Sequence, residues 1–271
     1  MTDLDLARAV GACARDAGKA ILEIYAGSFS VQHKADTSPL TAADLAAQRV
    51  LLQGLRRLMP GLPVLSEESA AAPWAERRGW RRYWLIDPLD GTREFIKRNG
   101  EFTVNVALIE DGASVLGVVH APVSGELAWA VAADGAWLQH SPQAIPERLV
   151  TRGAPMQPVL ACSRSHGSAE ETQMLARLGQ HQRLPLGSSL KFLRLAEGSA
   201  DLYLRVGSTS EWDTAAAQCI LEQAGGAVLD FNGRPLRYNS RESLLNPSFL
   251  AVGDPARDWH AALGIAGATA T

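Results

Sequence analysis

The stretch "WLIDPLDGTREF", residues 84–95, decides how the rest of the chain is read. Trp84, Leu85 and Ile86 run straight into Asp87, and Pro88-Leu89 separates it from Asp90. Pro88 fixes its own φ and biases the residue before it toward extended backbone, so a strand is expected to end at Asp87. Gly91 permits a sharp turn, and Thr92 is suited to cap a helix beginning "REFIKR". The segment therefore reads as strand, turn and helix tip. A helix tip offers free N–H groups and positive dipole to an anion such as a phosphate oxygen. The two carboxylates suit Mg²⁺, a hard cation that prefers oxygen ligands. Acids and an anion site are compatible neighbours only with cations between them. Asp is also a common turn and cap residue, and these residues alone leave that alternative open.

Further acids stand at comparable places. Glu67 in "PVLSEES" ends a short strand, with Glu68 expected to face the other way by alternation. Asp213 in "EWDTAAAQ" begins a helix, where capping would explain it. Asp44 lies three residues after Thr41, the place of the acid in a capping box. The haloacid dehalogenase phosphatase motif also ends Asp-Gly-Thr after an apolar strand. Its two aspartates are two apart, whereas Asp87 and Asp90 are three apart and would point differently.

The surrounding chain alternates between two periods. Leu6, Val10, Ala14, Ala17, Ile21 and Ile24 recur at helical steps over 2–26, with Gly27 placed to end the run. "SVQHKADTSP" reads as a loop, and Thr41 opens a second helix with Leu51, Leu55 and Leu58 on one face. Asp111-Gly112 and Asp134-Gly135 lie between β-rich runs, which predicts antiparallel hairpins. Pro142 to Pro158 is the candidate boundary. Beyond it are expected a strand at 159–162, a helix at 168–178, a helix after Ser188-Ser189 and a strand in "ADLYLRV". A helix over 213–224 follows, ending at Gly225-Gly226, and an Asn232-Gly233 turn joins two final strands. The fold class is α/β or α+β, in two domains that each carry a sheet. Residues 1–148 carry a mainly antiparallel sheet with helices, and 149–271 a mixed sheet with helices.

Composition narrows the function classes. The 271 residues are 46% hydrophobic and 20% charged, as in a globular chain with a large core. A net charge of −3 supplies no general field for a nucleic-acid polymer or an anionic membrane, and the basic "ERRGWRR" at 76–82 reads as a solvated face. Three dispersed cysteines exclude a disulfide framework and suit a reducing compartment. With Asp3 and Asp5 near its start and no apolar run of roughly 20 residues, the chain is expected to be cytoplasmic, without a transmembrane segment. Walker, dinucleotide, zinc-protease and nucleophile-elbow motifs are absent.

Taken together, "LTAAD", "LSEES", "DPLDGTREF" and "WDTAAA" resemble the lithium-sensitive, magnesium-dependent phosphatases of the inositol monophosphatase family. "KADTSPLTAAD", "SRSH", "GSSLKF" and "RESLLNP" look like its bacterial 3'(2'),5'-bisphosphate nucleotidase branch, and the similarity covers about residues 5–252. The resemblance implies a layered αβαβα sandwich, and two or three Mg²⁺ held by Glu67, Asp87, Asp90, Asp213 and the Leu89 carbonyl. Asp44 and Thr92 would orient and deprotonate a metal-bound water, with Glu67 holding that metal. Gly91 and Thr92 would give N–H groups to the scissile phosphate, and the loop around Asp36 would close over the metals. Ser165 and His166 of "SRSH", with Ser188, Lys191 and Arg205, are candidates to hold a second phosphate and the nucleoside. The implied activity is hydrolysis of adenosine 3',5'-bisphosphate, or its phosphosulfate counterpart, by direct attack of water. An inositol- or fructose-phosphate phosphatase and a non-catalytic nucleotide or metal sensor are the alternatives. The branch also implies inhibition by Li⁺, a role in clearing a by-product of sulfate assimilation, a monomer or homodimer, and in some relatives peripheral association with the inner membrane. Glu211, before Trp212-Asp213, departs from the apolar residue usual there, with an open effect on metal or substrate.

Overall fold

The protein is described by a computed structural model over residues 2–33, 39–164 and 167–265. Helix α1 (Asp3–Tyr25) starts with a capping box, the Thr2 hydroxyl and Asp5 satisfying each other's backbone N–H groups. Helix α2 (Ala42–Leu58) repeats the device with Thr41 and Asp44. Between them, strands β1 (Val31–His33) and β2 (Pro39–Thr41) pair antiparallel where a loop was expected. Asp36 lies outside the described residues.

The first sheet takes β3 (Val64–Ser66), β4 (Arg82–Asp90), β5 (Thr103–Glu110), β6 (Ala113–His120), β7 (Leu127–Val131), β8 (Gly135–Gln139) and β9 (Glu147–Arg148) in sequential order. Only β3–β4 is parallel; the other neighbours are antiparallel. Short helices α3 (Trp74–Arg77) and α4 (Thr92–Ile96) flank β4. Asp111 and Gly112 both take positive φ, 48° and 77°, as a two-residue hairpin turn requires. The second hairpin differs: Gly135 is already the first residue of β8, and Val131 pairs with it across a three-residue loop.

The second sheet is mixed, in the order β11 (Gln182–Leu186), β10 (Val159–Ser163), β12 (Leu202–Arg205), β14 (Phe249–Val252), β13 (Ala227–Asp230). Its helices are α5 (Ala169–Ala176), α6 (Leu190–Ala196), α7 (Glu211–Gln223) and α8 (Trp259–Leu263). The Asn232-Gly233 turn does not join β13 to β14. It folds β13 back to an isolated bridge, Leu229 with Pro235, and a long connection follows.

Alternation along β4 and β5 explains the layering. Trp84, Ile86, Val104, Val106 and Leu108 face α1 and α2, joining Val10, Ile21, Leu51 and Leu55 in one core. Tyr83, Leu85, Ala107 and Ile109 face the other way, onto α6 and α7, whose opposite side packs on Tyr203, Phe249 and Ala251 of the second sheet. Leu160, Leu202, Leu250 and Val252 turn outward to Leu175 of α5 and Trp259 and Leu263 of α8. The order is therefore helices, sheet, helices, sheet, helices, as expected. Helix α7 lies hard against β6, since a Cβ on Gly117 would sit 2.1 Å from the Ala216 carbonyl oxygen. No described helix is long and apolar enough to cross a membrane.

Candidate active site

Strand β4 does not stop at Asp87. It runs to Asp90, with a register irregularity between the two: Asp87 pairs with Asn105 and Asp90 with Thr103. Three steps on β4 thus match two on β5, the signature of a bulge, which is where a sheet tolerates Pro88. A regular strand would send residues three apart to opposite faces. The extra residue puts Asp87 and Asp90 on one face, toward α7, while the Leu89 side chain packs into the core beneath α1 and α2.

Past the bulge, Gly91 takes φ 95° and is itself the N-cap of α4. Thr92 is the first helical residue rather than the cap, so its hydroxyl is released from capping. That hydroxyl donates to Asp44 Oδ1 at 3.2 Å and approaches the Leu89 carbonyl at 3.4 Å. Asp44 accepts with its other oxygen from the Thr41 N–H (2.8 Å) and hydroxyl (2.7 Å). Asp213 has the same local setting, third residue of α7, with Oδ2 accepting from the Ser210 N–H at 2.8 Å. Capping and a place at the site are thus compatible for both acids.

Glu67, Asp90, Gly91, Thr92, Ser188, Lys191, Arg205 and Asp213 line one cavity of about 220 Å³ at the junction of the two sheets. Asp87 and Asp44 are buried and do not line it, though Asp44 bonds Thr92, which does. Burial, then the charges of Glu67, Asp90 and Asp213, push the Asp87 carboxyl well above the ordinary carboxylate range. Asp213 is raised well above it by burial and by Asp90 and Glu67. Asp90 is raised to about 6 by burial, against the opposing pull of Lys191. Burial raises Asp44 too, against its hydrogen bonds from Thr41. Lys191 is drawn down to about 8, by burial first.

Acids that raise their neighbours, as Glu67 and Asp90 do for Asp87 and Asp213, make a field seeking positive charge. Their donors, with the Leu89 carbonyl, are all hard oxygens, which fits Mg²⁺ and not a thiolate- or imidazole-loving metal. Among the described residues no three His, Cys, Asp or Glu side chains are already drawn into a closed cage. The donor chemistry fits the ion; the cage is not preassembled.

Several site residues escaped the sequence. Thr103 and Asn105 looked like ordinary strand positions. The Thr103 and Ser189 hydroxyls meet at 2.8 Å, Ser189 Oγ donates to Asn105 Oδ1 at 2.8 Å, and Asn105 Nδ2 approaches Asp90 at 3.4 Å. Phe192, Tyr203 and Phe249 line the cavity's apolar side, and alternation alone could not separate them from core. Ser165 and His166 lie outside the described residues. Glu211, whose influence on the site was left open, points away from the cavity. Its two oxygens accept the Asn239 N–H at 3.0 and 2.8 Å, and burial raises its carboxyl to about 7.

Fold and site together define a class: layered αβαβα sandwiches in which an acidic cluster and a glycine-initiated helix meet between two sheets. The chain belongs to the inositol monophosphatase family, whose sequence profile matches residues 3–263. It is 50% identical over 238 residues to the 3'(2'),5'-bisphosphate nucleotidase CysQ of Escherichia coli strain K12, covering 87% of this chain and 95% of that protein. The CysQ of Salmonella typhimurium is 52% identical over 239 residues, covering 87% and 95%. Among solved structures, CysQ from Bacteroides thetaiotaomicron superimposes with a TM-score of 0.80 at 39% identity, over 94% of this chain and 98% of that one.

Proposed function

We propose that this protein is a Mg²⁺-dependent 3'(2'),5'-bisphosphate nucleotidase that converts adenosine 3',5'-bisphosphate and water to AMP and inorganic phosphate. One observation carries the reading: a single cavity is lined both by acids (Glu67, Asp90, Asp213) and by cations (Lys191, Arg205). The acids suit a phosphoryl group only with divalent cations between them. The cations suit a second anionic group on the same substrate. Half-identity to the CysQ relatives along nearly their whole length supports the nucleotide as that substrate. The three cysteines are free, in keeping with the reducing cytoplasm proposed as its location.

Mg²⁺ would be held by Glu67, Asp87, Asp90, Asp213 and the Leu89 carbonyl, and would supply charge neutralisation and Lewis acidity at the phosphoryl oxygens. The chain's own residues do the rest. Thr92 Oγ gives its proton to Asp44 Oδ1, so its lone pairs face outward and accept a hydrogen of the attacking water. Asp44, fixed by its helix and raised by burial, is poised to take up the proton through Thr92. The water oxygen forms the new bond to phosphorus as the P–O3' bond breaks, and no side chain is phosphorylated. Gly91 and the start of α4 bring N–H groups toward the phosphoryl group. Lys191 and Arg205 hold the 5'-phosphate and so set which end of the substrate meets the acids.

The test is phosphate release from a substrate panel with and without Mg²⁺. A kcat/KM for adenosine 3',5'-bisphosphate well above that for inositol 1-phosphate is expected; the reverse order overturns the assignment.

A further inference from the structure

Ser188 holds φ 47°, a left-handed backbone uncommon for a residue with a side chain. Its hydroxyl is buried on the cavity wall without a hydrogen-bond partner among the described residues. A strained residue with an orphaned donor is kept only where its surroundings fix it. Within the cavity Lys191 Nζ donates to the Ser188 carbonyl, and a second fixture lies outside it.

Glu101, in the connection between α4 and β5, accepts the Gly187 N–H at 2.8 Å with Oε2. The same carboxylate takes a two-pronged contact from Arg164, Nε to Oε2 at 2.6 Å and Nη2 to Oε1 at 2.7 Å. Arg164 follows β10, and Gly187 follows β11. One side chain of the first half therefore pins two segments of the second half. The fit allows no slack: a Cβ on Gly187 would lie 2.5 Å from the Glu101 carbonyl oxygen and 2.8 Å from Glu94 Cγ. On the far side, a Cβ on Gly91 would come within 3.1 Å of that same carbonyl oxygen and 3.3 Å of Ser188 Cβ. Glu101 thus sits where the phosphoryl end and the 187–191 end of the cavity adjoin. The Glu101 side chain is 17% exposed and Arg164 42%, so the Gly187 contact is the better shielded of the two.

We propose that Glu101 is a positioning residue that holds Ser188, and with it the second-anion end of the cavity, at a set distance from the acidic end. This rests on the bisphosphate reading above. Glu101 touches no reacting atom. Its effect is discrimination: a substrate with two anionic groups needs both ends in register, whereas a 3'-monophosphate needs only one.

The experiment compares adenosine 3',5'-bisphosphate with adenosine 3'-monophosphate in the wild type and in Glu101→Ala, Glu101→Gln and Arg164→Ala. Glu101→Ala is expected to raise KM for the bisphosphate about ten- to hundredfold, the scale of losses from slight misplacement. Its kcat and its kinetics on the monophosphate should stay within about twofold of wild type. Glu101→Gln, still able to accept from Gly187, should fall between. Arg164→Ala should weaken bisphosphate binding without adding to Glu101→Ala in the double variant. An equal loss on both substrates would mark a general folding role and overturn the proposal. A wild type indifferent to the 5'-phosphate overturns both this proposal and the bisphosphate reading. A wild type that prefers the bisphosphate, beside a Glu101→Ala variant with undiminished preference, overturns the role of Glu101 alone.

Discussion

Asp44 and Thr92 meet at 3.2 Å through one carboxylate oxygen, while the other oxygen closes the capping box of the helix that carries Asp44. The acid is therefore oriented by the start of its own helix before any ligand arrives. A carboxylate held at both oxygens loses little further freedom on binding. Thr92 completes the arrangement because Gly91, not Thr92, caps α4.

Removing that hydroxyl should be a kinetic lesion rather than a binding one. Thr92→Ala is expected to lower kcat about 10²- to 10³-fold, with KM changed by no more than a few-fold, the scale of a lost proton-handling group. Thr92→Ser should keep most of the rate. Steady-state phosphate release from both variants is the check.

Asp90 should trade stability for function. Its folded pKa, about 6, stands above the ordinary 3.8, so between those values the native state holds a proton that the unfolded chain has lost. Stability from that proton is complete below about pH 4 and disappears as pH rises through 6. Asp90→Asn removes the penalty, so without divalent cations it should match wild type at pH 4 and gain up to about 3 kcal/mol by pH 8. In a chain of this size that is a rise of several degrees in Tm, read by thermal unfolding at the two pH values. Turnover should be abolished.

Divalent cations should relieve the same penalty. Mg²⁺ competes with protons for the acids, so its addition should raise Tm more at pH 8 than at pH 5. At a hundredfold excess over Kd the gain is about 2.7 kcal/mol. Chelation should abolish phosphate release and restore the lower Tm. Equal Tm shifts at both pH values would count against carboxylate ligation.

Glu211 should matter for stability alone. Arg77 reaches from α3 to the Asn239 side chain at 2.6 Å, and Asn239 gives its backbone N–H to Glu211. Glu211→Ala would leave that buried N–H unpaired, at about 1–3 kcal/mol. At pH 4, where Glu211 is largely protonated folded or unfolded, Tm should fall, and at neutral pH the Mg²⁺ dependence of the rate should stay unchanged; a shifted Mg²⁺ dependence would return Glu211 to the site.

The residues differ in how openly they advertised these places. The capping box at Thr41, the Asp111-Gly112 turn and the helical stripe of α1 were legible because local chemistry decides them. The presence of two sheets followed from period, and the layer order from the family motifs. The bulge was not legible: Pro88 signalled an interruption, but whether a strand ends or bulges depends on the pairing with Asn105 and Thr103 far along the chain. Thr92 was misplaced by one position for the same reason. Asn105, Ser189 and Glu101 were given no role by the motifs around them, since their meaning lies in contacts across roughly 60–90 residues of sequence.

The helices between the sheets have one further consequence. Because α7 presses on β6 at Gly117 as firmly as on its own sheet, the two halves share a filling rather than a hinge. Cleaving the backbone in the 149–158 connection should leave a nicked but still joined molecule. Expressed apart, each fragment would bare an oily face that only the other covers, and mixing them should rebuild the acidic cavity from two separate chains.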